Sequence, residues 1–243
     1  MPLDVLGVIP ARLASTRLPR KVLREIAGRP MIQHVWERAR RSPHLTDVLV
    51  ATDAQEVVDV CRARGIPAIL TSPDHASGSD RVWEVAQGRA ADVYVNIQGD
   101  EPLVTPGHVA GLVEPFLALP ETQVTTLKIR AHGVELTNPN VVKVVCDVDG
   151  RALYFSRSTI PYDRDGAGAA VWRHFGLYAF RRAALEAFHA LPASPLEQTE
   201  RLEQLRWLEN GLAITVVETT EPTIGVDTEE DLRAVAALLA RGA

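Results

Sequence analysis

Cysteine is scarce in this chain: its 243 residues include two, Cys61 and Cys146. Neither has a second Cys or a His at metal-ligand spacing, which argues against a zinc site and a disulfide framework. Both sit in apolar runs, VVDVC and KVVCD, and are read as reduced, buried thiols. Positive charge is also in short supply. Lys and Arg total 26 against 31 for Asp and Glu, a net of −5, so a protein that coats nucleic acid is not expected. No apolar run approaches the roughly 20 residues needed to cross a bilayer, so no membrane insertion is expected. Met1-Pro-Leu-Asp4 runs into an apolar stretch without the charged and apolar regions of a secretory leader, and the expectation is a cytoplasmic protein. Both familiar phosphate-loop patterns, GxxxxGK[ST] and GxGxxG, are missing. No internal repeat or linker breaks the chain, which is long enough for one α/β domain with a substantial apolar interior.

The first half alternates β-rich apolar runs with helical patterns, as parallel α/β sheets do. The spacing predicts strands at 4–9, 47–51, 67–70 and 92–97, and helices at 30–41, 54–64, 78–88 and 106–118. Right-handed crossovers then gather the loops that leave the strand C-termini on one edge, where binding residues are expected. After Val124 the rhythm turns to strands at 123–130, 141–147, 151–155 and 172–180, with Asp147–Gly150 as a hairpin turn. Helices at 181–190 and 196–210, a strand at 212–218 and a last helix at 228–241 follow. The expected organisation is a single domain over 1–243 with an inserted lobe at roughly 125–185.

Against the acidic background, one segment is strongly basic. After the apolar run Val5–Ile9, Arg12, Arg17, Arg20, Lys21 and Arg24 fall within thirteen residues that contain no carboxylate. Such a loop suits a triphosphate, held by cationic forks and backbone amides, although a merely solvated charge run is an equally ordinary reading. A second segment, DVYVNIQGDEP at 92–102, delivers Asp100 and Glu101 to the same sheet edge. A carboxylate there could hold magnesium, or Asp100 could simply shape the turn. In the third, GVDTEED at 225–231, Asp227 or Thr228 makes a good helix N-cap, and Asp227 could instead face Asp100 to make a two-carboxylate metal site. Ser77-Gly78-Ser79 and the strand RHFGLY at 173–178 are further candidates with ordinary cap and half-buried-strand explanations.

Together these segments resemble the 3-deoxy-manno-octulosonate (KDO) cytidylyltransferases, or CMP-KDO synthetases. The matches run in order along nearly the whole chain: IPARLASTRLPRK at 9–21, VATD at 50–53, DHASGSDR at 74–81, VNIQGDEP at 95–102, NPNVVKVV at 138–145, ALYFSRSTIP at 152–161, RHFGLY at 173–178, SPLE at 194–197, LEQLR at 202–206 and GVDT at 225–228. The resemblance implies a Rossmann-like, glycosyltransferase-A-like nucleotide-diphospho-sugar transferase fold, a three-layer α/β/α with an inserted mixed-sheet lobe. It implies attack by the anomeric hydroxyl of KDO on the α-phosphate of CTP, giving CMP-KDO and diphosphate for lipopolysaccharide biosynthesis. Arg12, Arg17 and Lys21 would then hold the triphosphate, with Pro10 and Ala11 near the cytosine and Asp53, Ser77, Gly78 and Gln98 completing the nucleotide pocket. Asp100 and Asp227 would bind Mg2+, and these two with Lys21 and Arg12 would form the catalytic group. Arg157 and Arg81 would face the sugar carboxylate, while His174, Tyr178, Glu203 and Gln204 would reach its hydroxyls. A homodimer built on the inserted lobe is also implied.

Two positions depart from the family pattern. Arg20 stands where the family usually has Gly, which adds charge and removes backbone freedom, and the 163–171 segment is shorter than expected. The alternatives are a CMP-sialic acid synthetase-like cytidylyltransferase, a glycosyltransferase with a DxD metal motif, and a non-catalytic nucleotide-binding regulator. The STRLP, SRSTIP and RHFGLY runs favour the KDO enzyme, the acidic pair here is Asp100-Glu101-Pro102, and the metal and sugar-side residues are all present.

Overall fold

The computed structural model describes residues 3–15 and 17–241. In chain order they form β1 (Val5–Ala11), a 3-10 turn (Lys21–Leu23), β2 (Glu25–Ile26), β3 (Arg29–Pro30), α1 (Met31–Ala39), β4 (Asp47–Thr52), α2 (Gln55–Arg62), β5 (Ala68–Leu70), α3 (Gly78–Gly88), β6 (Val93–Asn96) and α4 (Pro106–Ala118). Then come β7 (Val124–Arg130), a 3-10 turn (Gly133–Leu136), β8 (Lys143–Cys146), β9 (Ala152–Ser156), β10 (Trp172–Arg181), α5 (Arg182–Ala190), α6 (Pro195–Glu200), α7 (Leu205–Glu209), β11 (Thr215–Glu218) and α8 (Glu229–Ala240). The chain divides into two units, one of Met1–Ala110 with Thr223–Ala243 and one of Gly111–Pro222.

In the first unit β1 pairs in parallel with both β4 and β6, and β4 pairs in parallel with β5. Strands buried on both faces read as continuous apolar runs, and Val5, Leu6, Val8 and Ile9 are all at most 2% exposed. The spatial order β6-β1-β4-β5 reverses direction at β1, because the chain first builds outward through β4 and β5 and then returns to the far side of β1. Open α/β sheets bind ligands at the C-terminal strand ends beside such a reversal. The basic loop follows β1, and the Gln98–Asp100 loop follows β6.

A separate apolar cluster anchors this region. Leu18, from the middle of the basic loop, packs with Ile26, Met31, Leu103, Val226, Leu232 and Val235. One buried leucine therefore holds the charged loop against the start of α8, and fully burying such a side chain contributes on the order of 1.5–3 kcal/mol. The short β2–β3 hairpin, for which the sequence carries too few residues to show a period, lies in the same cluster through Ile26.

The second unit is a mixed sheet. β11 runs parallel to β7, β7 is antiparallel to β10, and β8 pairs antiparallel with both β10 and β9. The expected hairpin turn joins β8 to β9, with Gly150 at φ 81°. Its core is aromatic: fully buried Trp207 stacks on Phe180 and Phe188, and Tyr178 stacks on Phe180. The helix expected over 196–210 is two helices, separated at Arg201, which takes φ 55° and ψ 48°. Glu197 accepts from Arg206 Nε at 2.7 Å and draws the second helix back across the first, a contact that no helical period reveals.

The segment 163–171 closes on itself. Asp163 accepts from the backbone N–H groups of Ala167, Gly168 and Ala169 at 2.8–3.0 Å, which holds its carboxyl below the usual range. Cys61 is buried, with burial pushing its thiol up to about 11, and Cys146 is half-buried. Among the described residues no helix is long and apolar enough to cross a membrane.

Candidate active site

Pro10, Arg12, Arg17, Lys21, Ser77, Gly78, Gln98 and Asp100 line one cavity of about 450 Å³ in the first unit. Among the described residues, Ala14, Ser15, Val22, Ala76 and Gly99 line it as well. A cavity of this size lies within the usual range for small-molecule sites. Gly99 shapes it: a Cβ there would lie 2.7 Å from the Pro10 carbonyl oxygen, so only glycine lets the loop after β6 rest directly on the end of β1.

The two acidic segments meet here. Lys21 Nζ donates to Asp100 Oδ2 at 2.6 Å and to Asp227 Oδ1 at 2.9 Å, and Arg17 reaches the same Asp227 oxygen at 2.9 Å. Behind the side chains, the Val226 N–H donates to the Asp100 carbonyl at 2.9 Å, which locks the two loops together. Thr223 Oγ1 donates to Glu101 Oε2 at 2.6 Å and adds a second tie. Glu101, noted beside Asp100 in the sequence, thus carries the approach to Asp227.

Helix capping decides which acidic residue is left over. Thr228 Oγ1 caps α8 by accepting from the Asp231 N–H at 3.2 Å, while the Asp231 carboxylate takes the Thr228 N–H at 2.8 Å. Asp227 remains free to serve Lys21 and Arg17. Burial pulls the Lys21 pKa down, but Asp100 and Asp227 outweigh it and the net shift is upward. The ammonium is therefore charged at neutral pH. Two carboxylates, joined here by the Lys21 ammonium rather than by an imidazole or a thiolate, are an oxygen donor set of the kind magnesium takes, its other positions going to phosphate and water. Among the described residues no group of three or more His, Cys, Asp and Glu gathers.

The remaining nucleotide-side candidates support the cavity from behind. Ser77 caps α3 in a box with Asp80, so its hydroxyl is engaged at the helix start. Ala11 is buried and Asp53 lies outside the cavity lining, where its Oδ1 accepts the Leu13 N–H at 3.2 Å. Arg81 departs from the expectation of a substrate-facing group. It is fully buried, with its guanidinium on Thr71, Ser72 and Asp53. A residue with no exposed surface offers no fork to a sugar carboxylate. Arg20 and Arg24 pair with Glu56 and Glu229 on the surface.

In the second unit, Arg157 is gripped along its whole length. Its N–H donates to Glu200 Oε2 at 3.0 Å, its carbonyl accepts from Lys143 Nζ at 2.9 Å, and its guanidinium donates to the carbonyls of Glu200, Pro139 and Arg201. His174 packs edge-on to Phe155 with ring centroids 4.9 Å apart, its Nε2 2.9 Å from Thr126 Oγ1, and burial lowers its pKa to about 3. Tyr178 is buried, and burial followed by the nearby Glu203 charge raises its pKa well above the usual phenol value. Gln204 is 4% exposed at the start of α7. Buried Lys143 went unnoticed in the sequence, where it sits inside an apolar run as strand lysines commonly do.

A cytidylyltransferase family profile matches residues 6–216, and the chain belongs to that family. Within it, the chain groups with the 3-deoxy-manno-octulosonate cytidylyltransferases. It is 62% identical to the protein of that name from Acidobacterium capsulatum over 98% of this chain and 97% of the relative. It is 58% identical to the one from Koribacter versatilis over 96% and 89%. The solved structure of CMP:2-keto-3-deoxy-manno-octonic acid synthetase complexed with CTP superposes with a TM-score of 0.95 at 44% identity, over 99% of this chain and 100% of that one. A putative glucose-1-phosphate thymidylyltransferase from Bacillus anthracis shares the fold at a TM-score of 0.70 and 18% identity, over 99% and 96% of the two chains. The fold is thus the Rossmann-like nucleotidyltransferase α/β fold.

Proposed function

We propose that this chain transfers the cytidylyl group of CTP to the anomeric hydroxyl of KDO, releasing diphosphate and forming CMP-KDO for lipopolysaccharide assembly. The observation that carries this reading is the meeting of Asp100 and Asp227 at Lys21, beside a cavity lined with Arg12 and Arg17. In-line phosphoryl transfer needs positioning and charge neutralisation rather than a protein nucleophile. Arg12, Arg17 and Lys21 hold the triphosphate and neutralise charge that builds on the departing diphosphate. Pro10, Ala11, Ser77, Gly78 and Gln98 shape the pocket for the nucleoside, and Asp53 supports it.

Asp100 and Asp227 would hold Mg2+, which when bound supplies charge stabilisation at the phosphates and lowers the pKa of the attacking hydroxyl. On the sugar side, Arg157 is assigned to the carboxylate and His174, Tyr178, Glu203 and Gln204 to the hydroxyls. A carboxylate prefers an arginine fork and a polyol prefers mixed donors and acceptors. A neutral His174, with Nε2 on Thr126, keeps Nδ1 for a sugar hydroxyl.

The working form is assigned as a cytoplasmic homodimer joined through the 125–185 lobe. Exposed Val134 and Tyr162, at 82% and 87%, support an apolar contact there. Diphosphate release from CTP by the pure protein, dependent on both KDO and Mg2+ and weaker with sialic acid, is the expected result. No release above background with all three components present would sink the reading.

A further inference from the structure

Arg81 projects from α3 into the interior of the first unit and has 0% exposure. A buried guanidinium is costly unless it is paired, and its partners reveal what it organises. Nη1 donates to Thr71 Oγ1 and, at 3.3 Å, to the Ser72 carbonyl, while Nη2 stands 3.5 Å from Asp53 Oδ2. Asp53 in turn fixes the Leu13 N–H at 3.2 Å. Arg81 therefore bridges the loops that leave β4 and β5, and Asp53 carries the link on to the loop after β1. The loop after β5 is held from its other side as well: Glu84 accepts the Ser72 N–H at 2.9 Å and binds the His75 ring. The His75 carbonyl then accepts from Arg12 Nη2 at 2.8 Å. Burial works against the Arg81 charge, and the nearby Asp53 carboxylate supports it.

We propose that Arg81 is a positioning residue for the nucleotide: through Asp53 it sets the Leu13 end of the basic loop, and through Ser72 it sets the 71–77 loop that holds Arg12 and leads to Ser77 and Gly78. This role rests on reading the cavity as a nucleotide site. It places Arg81 on the CTP side of the reaction, without contact to either substrate.

The test uses Arg81→Met, Arg81→Lys, Asp53→Ala and the Arg81→Met/Asp53→Ala double variant. CTP affinity is measured by calorimetry without sugar acid, and KM is measured for each substrate separately. Arg81→Met and Asp53→Ala should each weaken CTP by about tenfold or more, with the double variant no worse than the poorer single one and the sugar-acid KM within about twofold of wild type. Arg81→Lys should restore part of the CTP affinity, because it keeps the charge but loses the fork. A raised sugar-acid KM with CTP binding intact overturns the proposal and returns Arg81 to the sugar. Additive losses overturn it too. If Arg81→Met does not fold, Asp53→Ala and Arg81→Lys decide: unchanged CTP affinity in both overturns the role. Wild-type protein that binds no CTP overturns the nucleotide reading itself, whereas wild-type binding left unchanged by the variants overturns only Arg81.

Discussion

The Lys21 ammonium donates to the Asp100 carboxylate across 2.6 Å, joining positions 79 residues apart at the mouth of the cavity. Neither residue is buried in the core; their side chains are 14% and 32% exposed. The contact is therefore reachable by a ligand, and under the proposed function it sets a cation assigned to phosphate against a carboxylate assigned to metal. Charge-assisted pairs of this kind contribute about 1.5–3 kcal/mol when well formed, with solvent screening reducing the figure at the more exposed partner.

Replacing Asp100 by Asn keeps the shape and removes the charge. Turnover should fall by at least about 10²-fold, as when other electrostatic stabilisers are removed, with the circular dichroism spectrum unchanged. A folded variant with parental turnover would return Asp100 to a turn-forming role.

Arg157→Ala should raise the KM for the sugar acid with CTP binding nearly normal. The backbone N–H and C=O of residue 157 remain held by Glu200 and Lys143, so the strand end survives the truncation. Equal losses for both substrates would assign Arg157 to the nucleotide.

Arg20 occupies left-handed backbone, φ 57° and ψ 33°, where a side chain costs roughly 1–2 kcal/mol relative to glycine. Its exposed pair with Glu56 offsets about 1 kcal/mol of that at most. Arg20→Gly should therefore melt no lower than wild type and above Arg20→Ala by about 2–4 °C, measured by calorimetry. An Ala variant as stable as the Gly variant would mean that the backbone angle carries no cost.

His174 has a pKa lowered to about 3 by burial, against about 6.5 in the unfolded chain. Between these values the unfolded state binds a proton that the folded state refuses, so folding stability falls as pH falls through that window. From pH 7.5 to 5.5 the wild type should lose on the order of 1 kcal/mol more than His174→Gln in parallel urea titrations. Equal losses would mean that the imidazole takes up its proton in the folded protein.

Much of the architecture was legible before folding. The alternation of apolar and helical periods located β1, β4 and β6 and helices α1 to α4 to within a few residues, because these signals depend on neighbours within a turn or a pleat. The break at Arg201 was not legible. LEQTERLEQLRWLE carries helical propensity throughout, and the interruption comes from tertiary pulls: Glu197 on Arg206, and the Glu200 carboxylate on Ser156 and Arg157.

The sequence by itself determined the ingredients: a carboxylate-free basic loop after the first strand, an acidic turn after a buried strand, and an acidic helix start able to cap itself and leave one aspartate over. These are local, since strand ends, glycine turns and capping boxes are set within a few residues. Only the tertiary structure decided which ingredients meet. Lys21 and Asp227 lie 206 residues apart, and they come together because parallel strand order brings the loops after β1 and β6 to one edge, while the Leu18 cluster fixes α8 beside them. The same packing encloses Arg81, whose partners on the loops after β4 and β5 no spacing rule could supply.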